Sequence, residues 1–222
     1  MTRPTIGVTG AAHKGRTMWL CSAFLVWVFG GRPVRITAKR NSPPPLDGLI
    51  IGGGDDISAH LYGGELVPEI TIDKDRDTLE LDLLQNTAAD KTPTLGICRG
   101  AQMMNISRGG TLHGDIYKVY PEAKRIRTTL PRKRVTLDEG SRLQQILGTK
   151  RTFVNALHHQ SVDTLGESLS ANAHDGQSII QGIEDTTHPF FIGVQWHPEF
   201  MPFHPRQWRL FRQLIKAAKK QA

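Results

Sequence analysis

The sequence predicts an α/β fold, with a mostly parallel central sheet to which antiparallel strands are added. Three observations carry this. Strand-like apolar runs alternate with helical runs through the first half, several runs end in glycines, and beyond residue 110 short strand patterns replace the alternation. The 222 residues, 38% hydrophobic and 22% charged, fit one soluble domain spanning 1–222 with a sizeable core.

The elements follow in order. Thr5–Thr9 reads as a strand, Thr17–Phe29 as a helix stopped by Gly30-Gly31, Pro33–Thr37 as a second strand, and Leu49–Ile51 as a third ending in three glycines. Asp75 to Ala89 carries leucines at 79, 81, 83 and 84 behind an acidic first turn, which suits the positive end of a helix dipole. Thr94–Ile97 is the next strand, and Gly100–Ser107 a helix ended by the Gly109-Gly110 pair. Shorter strands follow at Arg134–Leu137, Thr152–Asn155, Leu169–Ala173, Ser178–Gln181 and Phe190–Gln195, with one short helix at Ser141–Leu147. Pro205–Lys219 closes the chain as an amphipathic helix with Trp208, Leu210, Phe211, Leu214 and Ile215 on its apolar stripe.

Composition removes several classes of function. Two distant cysteines make neither a disulfide framework nor a zinc site, and the start MTRPTIGVTG lacks the pattern of a secretory signal, so a reducing, cytoplasmic setting is expected. The apolar run Met18–Phe29 is too short for a bilayer core of ~30 Å, which needs roughly 20 residues. It reads as a buried helix compatible with a homodimer contact. The net charge of +7 concentrates in Lys124–Arg134, but without interleaved aromatics the cluster reads as a solvated, Pro- and Thr-containing loop. Neither a nucleic-acid nor a membrane partner is expected.

The chemistry centres on Leu95-Gly96-Ile97-Cys98-Arg99-Gly100-Ala101-Gln102. A cysteine attacks an acyl carbon as thiolate, which a helix N-terminus and an adjacent imidazolium both favour. Cys98 ends a strand and precedes a helix, with Gly96 and Gly100 flanking it as in the strained nucleophile elbow of α/β hydrolases. A lone cysteine is ordinarily a small buried hydrophobe, and Cys21, inside the apolar helix, keeps that reading. The base and orienting acid are sought at Gly193-Val194-Gln195-Trp196-His197-Pro198-Glu199, where another strand ends. Neighbouring parallel strands deliver their C-terminal ends to one sheet edge, so Cys98 and His197 are placed to meet, with Glu199 orienting the ring. The backbone N–H of Arg99 and the Gly52-Gly53-Gly54 loop are candidate oxyanion donors. Walker and dinucleotide fingerprints are absent, so nucleotide binding is not expected. His158, His159, His113 and Asp115 lack metal-ligand spacing, and no metal is expected.

Together these segments resemble the class I glutamine amidotransferase-like superfamily, and within it the γ-glutamyl-γ-aminobutyrate hydrolase family. The resemblance spans most of the chain: LDGLIIGGGDDI and the following LYG, RDTLELDLL, LGICRGAQMMNISRGGTLHGDI, VNALHHQSV and FIGVQWHPE. It implies a flavodoxin-like three-layer α/β/α sandwich, a Cys98-His197-Glu199 triad, oxyanion donors at Gly53 and Arg99, and substrate contacts at Gln102 and His159. The sequence departs from the family at Gly114, where glutamine is usual, and is shorter around residues 10–17 and 38–46.

The implied reaction is cleavage of a small γ-glutamyl amine through a γ-glutamyl thioester, releasing glutamate and the amine without a cofactor. Arg99 and the HHQ segment point toward this hydrolase branch rather than to a glutaminase subunit feeding ammonia to a separate synthase. A non-catalytic binding module on the same fold is the third reading, and the intact triad residues count against it.

Overall fold

The computed structural model describes residues 3–39, 43–64 and 72–221. Its first half alternates strand and helix: β1 (Thr5–Thr9), α1 (Arg16–Val28), β2 (Arg32–Ile36), β3 (Gly48–Ile51), α2 (Lys74–Asp90), β4 (Thr94–Ile97) and α3 (Arg99–Ile106). The second half holds β5 (Leu112–His113), α4 (Ile116–Val119), β6 (Thr128–Leu137), α5 (Arg142–Leu147), β7 (Arg151–Ala156), β8 (Ser161–Val162), β9 (Ser170–His174), β10 (Ile180–Glu184), β11 (Phe191–Val194) and α6 (Pro205–Gln221).

Among the described residues the main sheet has nine strands in the order β2-β1-β3-β4-β11-β10-β9-β6-β7. The first five are parallel and the last four add antiparallel. The parallel part repeats the flavodoxin-like 2-1-3-4-5 order, with β11 as its fifth strand. This sheet is buried on both faces, and its strands divide their side chains between two cores by the period of two. Ile6, Val8, Ile50, Leu95, Ile97, Ile192 and Val194 pack with α1, α5 and α6 on one side. Leu49, Ile51 and Phe191 pack with Leu83 and Leu84 of α2 and Met103 and Met104 of α3 on the other.

Two elements differ most from the sequence reading, and the strand expected at Ser178–Gln181 lies instead at Ile180–Glu184, because Ser178 sits in a turn with φ 62. The Met18–Phe29 run is a helix but not a buried one: Ser22, Ala23, Leu25 and Val26 face the core, whereas Leu20, Phe24 and Trp27 stand 55%, 56% and 57% exposed. An all-apolar run does not indicate which face is inside. The basic stretch read as a loop is largely β6, a ten-residue strand paired with β7 across a register shift between Thr128 and Lys133. Pro131 lies inside that shift, where a missing N–H costs no ladder bond. Residues 40–42 of the shortened 38–46 stretch lie outside the described residues. Among those described, no helix is long and apolar enough to cross a membrane.

Four buried charges tie the layers together where the strands end. Arg76 and Glu80, one turn apart on α2, pair at 2.7 Å. Arg76 also donates Nη2 to the carbonyls of Gly52 at 2.8 Å and Gly53 at 3.0 Å. Arg99, the first residue of α3, forms ion pairs with both Asp77 and Glu80. Thr9 at the end of β1 donates to Glu80 at 2.6 Å, and Asp77 accepts the Ser58 N–H at 3.1 Å. Burial alone would raise the Glu80 carboxyl, but the two guanidinium groups outweigh it and hold it below the usual carboxylate range.

Removing one cation from this set leaves carboxylates buried without full compensation. Arg99→Met is expected to cost about 3–5 kcal/mol of stability, measured by urea unfolding.

Candidate active site

Cys98 sits where β4 turns into α3, with φ 52 and ψ −107, a left-handed conformation that a non-glycine residue adopts only under constraint. The constraints are visible. The Cys98 N–H donates to Val194 O at 2.8 Å, and its own carbonyl accepts the N–H of Ala101 at 3.0 Å. On either side, a side chain on Gly96 would run into Met104, and one on Gly100 into the Ile51 carbonyl. Glycine is required there by close approach, so the elbow is pressed onto β3 and β4. Cys98 is 7% exposed.

His197 follows β11, the strand beside β4 in the sheet. Its backbone is clamped from both sides by Asn155 of β7: the His197 N–H donates to Asn155 Oδ1 at 2.8 Å and its carbonyl accepts Asn155 Nδ2 at 2.9 Å. The ring stacks on Phe200, 5.3 Å between centroids at 18°. Its Nδ1 meets Glu199 Oε1 at 2.8 Å, which leaves Nε2 free, and Cys98 is close enough for its charge to act on the ring. Burial alone would push the imidazole pKa down, yet the charges of Glu199 and Cys98 prevail and raise it well above the ordinary value of 6.5. Gly53 fits against the ring edge, where an added Cβ would lie 2.5 Å from Cε1. The structure thus brings together Cys98, His197, Glu199 and Gly53.

Above Cys98 opens a cavity of about 240 Å³ whose lining includes Asp56, Gln102, Arg127, His159 and Gln160. Gln102 Nε2 is already engaged, donating to Gln160 O at 3.0 Å and to Gln195 Oε1 at 3.1 Å. His159 faces Asp56 at 3.3 Å, and that hydrogen bond raises its pKa. His158 also lines the cavity, its Nδ1–H bound to Gln160 O at 2.9 Å, and burial with Lys133 nearby pushes its pKa down to about 3. His113 instead meets Asp163 at 3.3 Å. The histidines considered as metal ligands therefore do not converge.

The Arg99 side chain points away from the cavity into the buried ion pairs, so only its backbone is available to a substrate. In a trans peptide the C=O and the following N–H point oppositely. Arg76 holds the Gly52 carbonyl, which directs the Gly53 N–H away from α2. Two residues escaped the sequence reading: Asn155, and Gln195, whose Nε2 donates to Cys98 Sγ at 3.6 Å. Gln195 lies in the motif that identified His197; Asn155 lies in VNALHHQSV, but its role is not legible there, because its partner is backbone.

The sheet order and the elbow define the class I glutamine amidotransferase-like fold. A glutamine amidotransferase from Thermotoga maritima superposes with a TM-score of 0.67 at 11% identity, over 99% of this chain and 98% of that one. The chain belongs to the peptidase C26 family, whose model matches residues 12–199, and this makes it a hydrolase. A Schizosaccharomyces pombe protein named "Putative glutamine amidotransferase" is 32% identical over 86% of this chain and 78% of its own length. The γ-glutamyl-γ-aminobutyrate hydrolase of Escherichia coli O157:H7 is 30% identical over 90% of this chain and 87% of its own.

The His197 shift has a defined sign. With its folded pKa raised above the unfolded value of about 6.5, protonated His197 contributes stability that is full below that value and lost as pH rises through the folded pKa. Glu199→Gln removes the largest raising charge, so the His197 titration followed by NMR is expected to move down toward 6.5. An unmoved titration would exclude Glu199 as the cause.

Proposed function

We propose that the protein hydrolyses the amide joining the γ-carboxyl of a glutamyl group to a small amine, with Cys98 as nucleophile, His197 as acid and base, and Glu199 as the orienting acid. The observation that carries this is the Cys98–His197–Glu199 alignment, with Cys98 on the cavity lining, His197 Nδ1 on Glu199 and the imidazole pKa raised well above its ordinary value by its surroundings. The relative named γ-glutamyl-γ-aminobutyrate hydrolase supports the acyl group.

In the first half-reaction the Cys98 thiolate bonds to the γ-carbonyl carbon, and the oxyanion is met by the backbone N–H groups of Gly53 and Arg99. The C–N bond then breaks as His197 gives its proton to the departing amine. In the second, His197 takes a proton from water as the hydroxide adds to the thioester. The C–S bond breaks, freeing glutamate and restoring the thiolate and imidazolium. No cofactor enters. The raised His159 suits the glutamyl α-carboxylate, while Gln102 retains only Oε1 for substrate, an acceptor suited to the α-ammonium.

The mouth favours an amine that itself carries a carboxylate. Asp55 is neutralised by Lys14 at 2.8 Å and Asp56 faces His159, whereas Arg127 has no ion-pair partner among the described residues. The amine must leave through the mouth, so its far end passes this guanidinium.

With γ-glutamyl-γ-aminobutyrate, the wild-type protein is expected to release glutamate and γ-aminobutyrate, and Cys98→Ala to lower the rate by about three orders of magnitude or more. Activity on free glutamine alone would turn the assignment to a glutaminase, and no turnover of any γ-glutamyl amine would end it. Arg127→Glu is expected to change the kcat/KM ratio of γ-glutamyl-γ-aminobutyrate to γ-glutamylputrescine about two- to fivefold toward the cationic amine, as befits an exposed charge.

A further inference from the structure

Cys98 has a second polar neighbour besides His197, and a chain of side chains ending on the backbone fixes its orientation. The Gln160 carbonyl oxygen accepts only, so the Gln102 atom 3.0 Å from it is the amide nitrogen. That nitrogen gives its other hydrogen to Gln195 at 3.1 Å, and the receiving atom must be Oε1. Gln195 is thereby turned with Nε2–H toward Cys98 Sγ, 3.6 Å away. The usual ambiguity of an amide flip is removed at each step by the acceptor before it. His158 steadies the anchor by donating to the same Gln160 carbonyl at 2.9 Å. Gln102, Gln160 and Gln195 are 3%, 2% and 3% exposed, so water does not compete for these bonds.

We propose that Gln195 is a further catalytic residue, whose Nε2–H stabilises the Cys98 thiolate, and that Gln102 is the positioning residue that sets its amide. This rests on Cys98 being the nucleophile. The bond is strongest when sulfur carries full charge, before attack and again when the thioester breaks, and weakest in the neutral thioester. It therefore raises the share of thiolate available before attack and eases the departure of sulfur when the thioester breaks. His197 cannot serve in the same way throughout, because it surrenders its proton to the amine. Gln195 never titrates.

The test is alkylation of Cys98 by iodoacetamide, followed against pH in a Cys21→Ser background so that Cys98 is the single thiol. Gln195→Leu removes the donor. Gln195→Glu keeps the shape and the bond from Gln102 but sets a carboxylate oxygen against sulfur. Both are expected to slow alkylation near neutral pH about 10- to 100-fold and to move the profile to higher pH, as loss of a hydrogen bond to a charged group implies. Gln102→Glu, which no longer donates to Gln195, is expected to move the profile in the same direction. The isosteric Glu variants keep the test valid if Gln195→Leu fails to fold, and thermal melting confirms the folded state of each. Profiles of folded variants that superimpose on the parent overturn the role of Gln195. A parent that alkylates no faster than the urea-unfolded chain overturns instead the nucleophile on which it rests.

Discussion

The site depends on the buried set of Arg76, Asp77, Glu80 and Arg99 behind it. Two guanidinium groups and two carboxylates sum to zero charge, and each ion has at least one short partner. Buried ion pairs are poor sources of net stability, because desolvation consumes most of the Coulomb gain. Their value here is geometric. Arg76 turns the carbonyls of Gly52 and Gly53 inward, Arg99 fastens the start of α3 to α2, and Thr9 joins the end of β1 to the same carboxylate. Three loops that would otherwise be independent at the sheet edge are set relative to one another by four side chains.

Strain at Cys98 is bearable only inside that frame. A positive φ in a non-glycine residue costs of order 1–3 kcal/mol and persists where the surroundings over-determine it. α3 is buried along its entire length, and the Cys98 N–H is spent on β11. Gly100, against Ile51, lets the helix start close enough for that bond to form. The same contact with β11 keeps Cys98 near His197, because the strand that receives the Cys98 N–H is the one that delivers the histidine.

How much of this was legible in the sequence follows from what each residue binds. β1 and β4 were readable to the residue, since both are apolar runs bounded by turn signals. β5, α4 and β8, of two to four residues, are too short for any period to register. The sequence predicts only four of the ten residues of β6, because a run of arginine, lysine and threonine with an internal proline resembles a loop. At the site, Cys98, His197 and Glu199 stand in motifs whose spacing itself suggests the chemistry. Only the backbone of Arg99 has a role that the sequence suggests, and nothing local encodes the ion pairs its side chain forms with α2. Asn155 acts on the backbone of a residue 42 positions away, a relation no local pattern encodes.

The charge balance around His197 shows why a buried imidazole holds its proton. One Glu199 oxygen is taken by Nδ1, and the other, Oε2, has no hydrogen-bond partner among the described residues. A carboxylate shared with an arginine or with several backbone N–H groups would have its charge largely answered elsewhere. Glu199 is answered chiefly by His197, and in a site 3% exposed the attraction is little screened. The unshared oxygen, a cost to the fold, therefore directs the field of that carboxylate onto the imidazole. An amide in place of the acid would keep the bond to Nδ1 as an acceptor but lose the charge, so it is the charge at this position that raises the imidazole pKa.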